Sequence, residues 1–324
     1  MNLRYQARLR NDHWAVILAG GEGTRLRSMT RTIAGDDRPK QFCPLVDERT
    51  LLEQTRQRVS MSIDSNRTLI VVTKSHESFY EQLAGTVPND LLLEQPENRG
   101  TGAAILYALF RIAVRSPRAT VAFFPSDHYF SNDEAFMSHV DLAFEAAQTN
   151  PETVVLLGIT PSGPEVEYGW IEPHASILGS MPRSITRVRR FWEKPSAAIA
   201  HNLMERGCLW NSFVMVGRVD ALLKMTQQAS PEAHNLFAAI SPTFGTILEK
   251  AAVHQIYAKL PEVNFSHEVL ARRPNDLAVM RVGDVEWSDL GEPTRVLSTL
   301  AREANQNDSF SRLIGRVSRG RGGR

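Results

Sequence analysis

Cysteine is almost absent from this chain: Cys43 and Cys208 are its only two. They stand far apart and fit no metal-ligand spacing, which argues against a disulfide framework and suits a reducing compartment. Lysine is scarce as well, six against 31 arginines. No run is both apolar enough and long enough to span a membrane. The N-terminus carries Arg4, Arg8 and Arg10 but no apolar stretch before Trp14, unlike a secretory signal. Neither charge dominates: 37 Lys and Arg against 36 Asp and Glu leave a net +1, which argues against a dedicated nucleic-acid binder. The expectation is a cytoplasmic protein with no membrane and no nucleic-acid partner, large enough for one big domain or two closely joined ones.

What is present is a rhythm of short apolar runs. Strand-like segments occur at 14–18, 68–73, 91–93, 120–124, 153–159, 185–192 and 209–216. Helical patterns separate many of them, at 51–61, 76–84, 101–114, 133–147 and 196–206. Strands alternating with helices predict an α/β fold, a mostly parallel central sheet with helices on both faces. Residues 101–114 are apolar nearly all round, so that helix should be buried. The expected organisation is an N-terminal extension over 1–12, an α/β core over 13–217, and a helix-rich C-terminal part over 218–305. The last includes a strand at 277–282 and a helix starting after Pro293. A basic tail at 306–324, with five Arg and four Gly in its last thirteen residues, reads as solvated and disordered.

The first apolar run ends in Leu18-Ala19-Gly20-Gly21-Glu22-Gly23-Thr24-Arg25-Leu26. A buried strand entering a glycine-rich turn lets backbone N–H groups approach and cradle phosphate oxygens. Five cations follow between residues 25 and 40: Arg25, Arg27, Arg31, Arg38 and Lys40. That clustering suits a polyanionic ligand. Neither standard phosphate loop fits, because no Lys-Ser or Lys-Thr follows the glycines and the third glycine of the dinucleotide fingerprint is missing. Taken alone, the segment is also compatible with a tight strand-to-helix turn and a solvated loop.

Followed by Pro39-Lys40-Gln41-Phe42, this segment resembles the sugar-1-phosphate nucleotidylyltransferases, and within them the mannose-1-phosphate guanylyltransferases. The resemblance runs through seven ordered elements over roughly residues 14–292. It implies a Rossmann-like nucleotidyltransferase fold; no C-terminal β-helix domain is expected. Leu18, Ala19, Gly20, Gly21, Gly23 and Thr24 would bind the nucleotide. Phe124-Pro125-Ser126-Asp127-His128 resembles the block whose Asp holds magnesium, and Trp287-Ser288-Asp289-Leu290-Gly291 resembles the second metal block. Asp127 and Asp289 would then be the carboxylate ligands of Mg2+, a cation that takes oxygen donors and only one or two carboxylates. By itself, a strand-end Asp also caps a following helix.

Glu193-Lys194-Pro195 resembles the sugar-phosphate motif, with Lys194 neutralising the phosphate and Glu193 accepting from sugar hydroxyls. Tyr168-Gly169-Trp170-Ile171 precedes it and Trp210-Asn211-Ser212 follows it, in the family's order. Gly169 would give close backbone approach and Asn211 a sugar hydrogen bond. Residues 95–105 resemble the nucleotide-contacting element. Arg99 and Thr101 match the guanylyl form, while Gln95, Gly100 and Gly102 depart from it. Gly100 stands where relatives carry an Asn amide, so weaker base discrimination is expected there. Phe213 stands where the family commonly has Gly, and Glu268 near where many relatives carry Asp.

The implied reaction is nucleotidyl transfer from a nucleoside triphosphate, GTP favoured, to a sugar 1-phosphate, mannose 1-phosphate favoured, giving GDP-mannose and pyrophosphate. Arg25, Lys40, Asp127 and Lys194 would carry it electrostatically, with residues 27–38 as a lid over the triphosphate. Another base or sugar, a molybdenum-cofactor nucleotidyltransferase, and a non-catalytic nucleotide-sensing regulator on the same fold remain open, as does a homodimer.

Overall fold

The computed structural model describes residues 12–177 and 185–304. The basic tail and nearly all of the N-terminal extension lie outside the described residues. Strands are β1 (His13–Leu18), β2 (Thr68–Thr73), β3 (Leu92–Gln95), β4 (Thr120–Pro125), β5 (Tyr129–Phe130), β6 (Val154–Ile159), β7 (Gly169–Ile177), β8 (Ile185–Glu193), β9 (Leu209–Arg218), β10 (Leu277–Val282) and β11 (Trp287–Ser288). Every residue of β2, β4 and β6 is buried. Strands covered by helices on both faces read as such continuous Val, Ile, Leu and Phe runs, without alternation.

Nine strands form one sheet in the order β3-β2-β1-β4-β9-β6-β10-β8-β7, and β5 with β11 makes a separate ribbon. β1, β2, β3 and β4 pair in parallel. β9 runs against both β4 and β6. β10 is parallel to β6 and antiparallel to β8, and β7 opposes β8. Seven of the nine strands therefore point one way, with β8 and β9 reversed. The sheet is mostly parallel in direction but mixed in pairing. β7 also returns to pair with the start of β9, Trp170 opposite Trp210, so β9, β6, β10, β8 and β7 close upon themselves.

The helix Gly100–Arg115 is buried without interruption from Gly102 to Ile112, as its all-round apolar pattern requires. The helix Leu51–Ser60 begins in a capping box between Thr50 and Glu53, and Asn132 caps Asp133–Thr149 by accepting from Ala135 N–H. The boundary expected at 217/218 falls where β9 meets the helix Val219–Ala229, and the main apolar core runs across it, from Trp14 to Trp287. No described helix is long and apolar enough to cross a membrane, and the described residues contain no β-helix.

The polar stretch expected to be a lid over the triphosphate contains ordered structure. Arg27–Ala34 is a helix with Met29 and Thr30 buried. Leu26 and Met29 join a second apolar cluster with Leu45, Leu51, Tyr129, Leu290, Val296 and Leu300. The last two belong to the helix Pro293–Ala304. Met29, with Ile33 and Ala34 partly buried one turn on, seats the short helix, and a sequence dominated by Arg and Thr hides that anchor.

Candidate functional site

In open α/β sheets, ligands sit beyond the carboxyl ends of the parallel strands. Here a cavity of about 420 Å³ lies at that edge. Leu18 at the end of β1, Gln95 at the end of β3, and Pro125 and Asp127 after β4 line it. So do Gly20, Gly21, Gly100, Thr101, Gly169, Glu193, Asn211 and Asp289. Gly23, Thr24, Arg25 and Lys40 line a smaller neighbouring cavity of about 220 Å³ with Gly291. Most of the residues singled out from the sequence are thus brought together.

The three loop glycines serve three different ends. A Cβ on Gly20 would lie 2.8 Å from both Gln95 Nε2 and Thr73 Oγ1, so this position is fixed by packing. Gly23 holds φ +59° and would place a Cβ 3.0 Å from Lys40 N, which joins the glycine loop to the Lys40 segment. Gly21 has nothing within 4 Å, and is the glycine whose backbone is free to meet a ligand. Ala19 is fully buried. Its N–H donates to Val71 and its carbonyl accepts from Gln41, so it supports the loop without reaching the cavity. Gln41 Nε2 also donates 2.8 Å to the Gly21 carbonyl. That buried amide is the reason the Pro-Lys-Gln-Phe turn travels with the glycine loop.

Lys40 sits between the two candidate metal carboxylates. Its Nζ lies 3.4 Å from Asp127 Oδ2 and donates to the main-chain carbonyls of Asp289 and Leu290. Asp289 Oδ1 accepts from Tyr168 O–H at 3.0 Å and Gly291 N–H at 2.9 Å, and Arg295 Nη1 bridges both its oxygens at 3.0 and 3.1 Å. Burial pushes the Asp289 carboxyl up, but His128, Lys40 and Arg295 outweigh it and the net displacement is downward. Asp289 is therefore anionic at neutral pH. Burial brings the His128 imidazole down to about 4, with Lys40 adding to the effect and Asp127 opposing it. The indole N–H of Trp287 donates to His128 Nδ1 at 3.3 Å, which puts the proton of the neutral ring on Nε2.

Among the described residues no cluster of three or more His, Cys, Asp or Glu could hold a metal. Two cavity-lining carboxylates nevertheless match a magnesium ion that draws its other oxygens from phosphate and water. In that role Asp127 would share its charge with Lys40, and Asp289 with Arg295.

On the sugar side, burial raises the Glu193 carboxyl, with Lys194 and His267 offsetting part of it. A Cβ on Gly169 would come within 2.9 Å of Phe191 Cζ and 3.2 Å of Glu193 Oε2, so Gly169 is required by that strand pair. Asn211 Oδ1 accepts from Phe213 N–H at 3.1 Å, leaving the amide nitrogen to donate into the cavity. Phe213 takes φ +61°, next to the register shift between β6 and β9. Glycine adopts that conformation freely and a phenylalanine adopts it at a cost. Lys194 is also left-handed, at φ +45°, and lies at the rim with its side chain half exposed.

Some expected contributors are elsewhere. Arg99 pairs with Glu97 and does not line the cavity. Arg31 and Arg38 are neutralised by Asp37 and Asp36, and Arg27 faces Glu22. Of the five clustered cations, only Lys40 is turned between the carboxylates. The departures at Gly100 and Gly102 have a local cause. Gly100 holds φ +80°, with the Val263 carbonyl oxygen 2.5 Å from where a Cβ would stand, and a Cβ on Gly102 would lie 2.3 Å from Val263 Cγ1. The segment around Val263 locks onto the helix start through Gly102 N–H to Val263 O and Val263 N–H to Arg99 O. Phe265 N–H donates to Thr101 Oγ1 as well. An Asn at position 100 thus cannot be seated without moving that segment. Glu268 caps the same segment by accepting from Asn264 N–H. Glu262, Asn264, Glu167 and Arg295 were not legible as site residues. Glu167 and Arg295 pair with Arg25 and Glu165, more than a hundred positions away, and only the order of motifs hinted that the late segments fold back.

A mixed α/β sheet with a glycine loop, a buried lysine and paired carboxylates at its carboxyl edge defines a nucleotidyltransferase-type protein. Residues 14–306 match the nucleotidyl transferase family, and the chain belongs to it. It is 30% identical over 315 residues to the xanthan biosynthesis protein XanB of Xanthomonas campestris, covering 94% of this chain and 63% of that protein. It is 28% identical to a mannose-1-phosphate guanylyltransferase of Sinorhizobium fredii, covering 90% of this chain and 56% of that protein. The chain thus spans about three fifths of the length of the curated relatives it matches. Among solved structures, it is similar to one titled mannose-1-phosphate geranyltransferase from Thermus thermophilus. That match has TM-score 0.73 and 28% identity, covering 86% of this chain and 76% of the other. A UDP-glucose pyrophosphorylase complexed with UDP-glucose shares the fold, with TM-score 0.57 at 13% identity over 91% of this chain and 99% of the other.

Proposed function

We propose that this chain is a cytoplasmic sugar-1-phosphate nucleotidylyltransferase. It transfers a nucleoside monophosphate, GMP in preference, to a sugar 1-phosphate, mannose 1-phosphate in preference, and releases pyrophosphate. The observation that carries this reading is the convergence of the glycine loop, Lys40, Asp127, Asp289 and Glu193 on two adjoining cavities at the carboxyl edge of the sheet. The mannose and guanine preferences rest on the named relatives.

A sugar phosphate oxygen is already anionic, so attack on the α-phosphorus needs no general base. The obstacle is repulsion between two polyanions and the charge on the leaving group, which positioning and electrostatics must meet. Lys194 holds the sugar phosphate, and Glu193 and Asn211 bind its hydroxyls. Lys40 and Arg25 stabilise the α-phosphate and the departing pyrophosphate, while the Gly20–Gly21 backbone seats the nucleotide. Asp127, with Asp289, would hold Mg2+, which supplies charge neutralisation across the phosphoryl groups when bound.

A panel of GTP, ATP, UTP and dTTP against several sugar 1-phosphates, read by pyrophosphate release, tests the reading. Turnover highest with GTP and mannose 1-phosphate is expected. A preference for UTP or dTTP removes the guanylyl assignment, and no turnover with any pair favours a nucleotide-sensing regulator.

A further inference from the structure

Between the two exposed cations assigned to substrate phosphates stands a carboxylate. Glu167 Oε2 lies 2.9 Å from Arg25 Nη2 and 3.8 Å from Lys194 Nζ, and Glu167 lines the main cavity. Arg25 comes from the turn after β1 and Lys194 from the turn after β8, so this acid joins the two sides of the site. Among the described residues no other acid contacts both; Glu292 reaches Arg25 alone, at 4.0 Å. Lys194 holds a left-handed backbone, φ +45°, in making this contact. Among the described residues, the side-chain partners of Glu167 are these two cations, and it is one-third exposed.

We propose that Glu167 is a specificity-determining residue whose carboxylate occupies a phosphate position between Arg25 and Lys194, so that a substrate phosphate binds by displacing it. This rests on the proposed function, which supplies the phosphate. The physical basis is exchange of one anion for another. An uncharged sugar cannot compete for the two cations. A phosphate carries more charge and a third oxygen, and outcompetes a carboxylate at paired cations. Every ligand is penalised by the same competitor, but weakly charged ones lose most, and specificity is the difference between such affinities.

Binding of inorganic phosphate and of pyrophosphate, measured calorimetrically on the full chain, tests this without relying on turnover. Glu167→Gln should tighten both by roughly two- to fivefold, the scale of partly exposed ion pairs, while Glu167→Asp stays close to wild type. The gain should vanish when Glu167→Gln is combined with Arg25→Ala or Lys194→Ala, because the competitor then has only one cation to hold. Unchanged or weaker binding in Glu167→Gln overturns the proposal alone, provided Arg25→Ala and Lys194→Ala each weaken phosphate binding. If those two variants bind phosphate as wild type does, both this proposal and the phosphate role of the two cations fall.

Discussion

Gly100→Ala should damage the protein, and Gly21→Ala should damage only ligand binding. Gly100 sits at φ +80°, where an added Cβ would lie 2.5 Å from the Val263 carbonyl oxygen. The left-handed conformation costs an L-residue about 1–2 kcal/mol. The same carbonyl accepts the Gly102 N–H at 2.8 Å, and pushing it away forfeits a hydrogen bond, about 1 kcal/mol. The expected loss of folding stability is therefore roughly 2–3 kcal/mol, with the Val263 segment lifted off the helix start. Gly21 is not left-handed and has open space around it. Its alanine variant should unfold within about 0.5 kcal/mol of wild type yet bind nucleotide more weakly. Urea denaturation followed by tryptophan fluorescence, with calorimetric titration of GTP, measures both. Equal urea midpoints for Gly100→Ala and wild type would refute the clamp. A destabilised Gly21→Ala with unaltered GTP affinity would refute the division of labour among the glycines.

Three further predictions concern chemistry. Asp127→Asn and Asp289→Asn should each remove most magnesium-dependent turnover, since amides bind the ion poorly. Near-normal rates in either variant would take that residue out of the metal site, and Asp289→Asn should also lower the urea midpoint modestly, by removing one of the two carboxylates that Arg295 pairs with and leaving it Glu165. Lys194→Ala should raise KM for sugar 1-phosphate, whereas Lys40→Ala should lower kcat, because Lys40 meets charge that develops during transfer; a change in nucleotide KM alone in both would contradict these roles. Burial pushes the Cys43 thiol up to about 12 and also raises Cys208. A thiol-specific dye at pH 8 should thus label neither cysteine in the folded protein and both in urea; rapid labelling of either in buffer would contradict their burial.

The strand and helix rhythm was readable because buried parallel strands and an all-apolar helix leave unbroken runs, as in Thr120–Phe124 and the helix through Leu106. The glycine loop and the cations after it were readable from residue type, whereas Asp127 and Asp289 stood out only through the resemblance to the family's blocks. What escaped was long-range pairing. Nothing near residue 100 announces that Val263 will press against it, so Gly100 read only as weakened base recognition and Gly102 only as a departure, whereas both are also required by packing. Residues 27–38 read as a lid over the triphosphate; hidden from the sequence were the pairing of Arg31 and Arg38 with Asp37 and Asp36 and the anchoring of the helix by Met29. Glu167 and Arg295 are single charged residues with no sequence context, and only their neighbours in space give them meaning.

Lys40 bonds to the carbonyls of Asp289 and Leu290, about 250 positions downstream, and Leu290, Val296 and Leu300 pack beneath the same turn. A chain emerging from the ribosome therefore has its glycine loop, its first four sheet strands and Asp127 long before the Asp289 and Leu290 carbonyls that also hold Lys40. Closing so long a loop is slow compared with forming local structure. The two sides of the site are thus joined last in the life of the chain, and a product of premature termination, however well its first half has folded, lacks the segment that holds Lys40 from the far side.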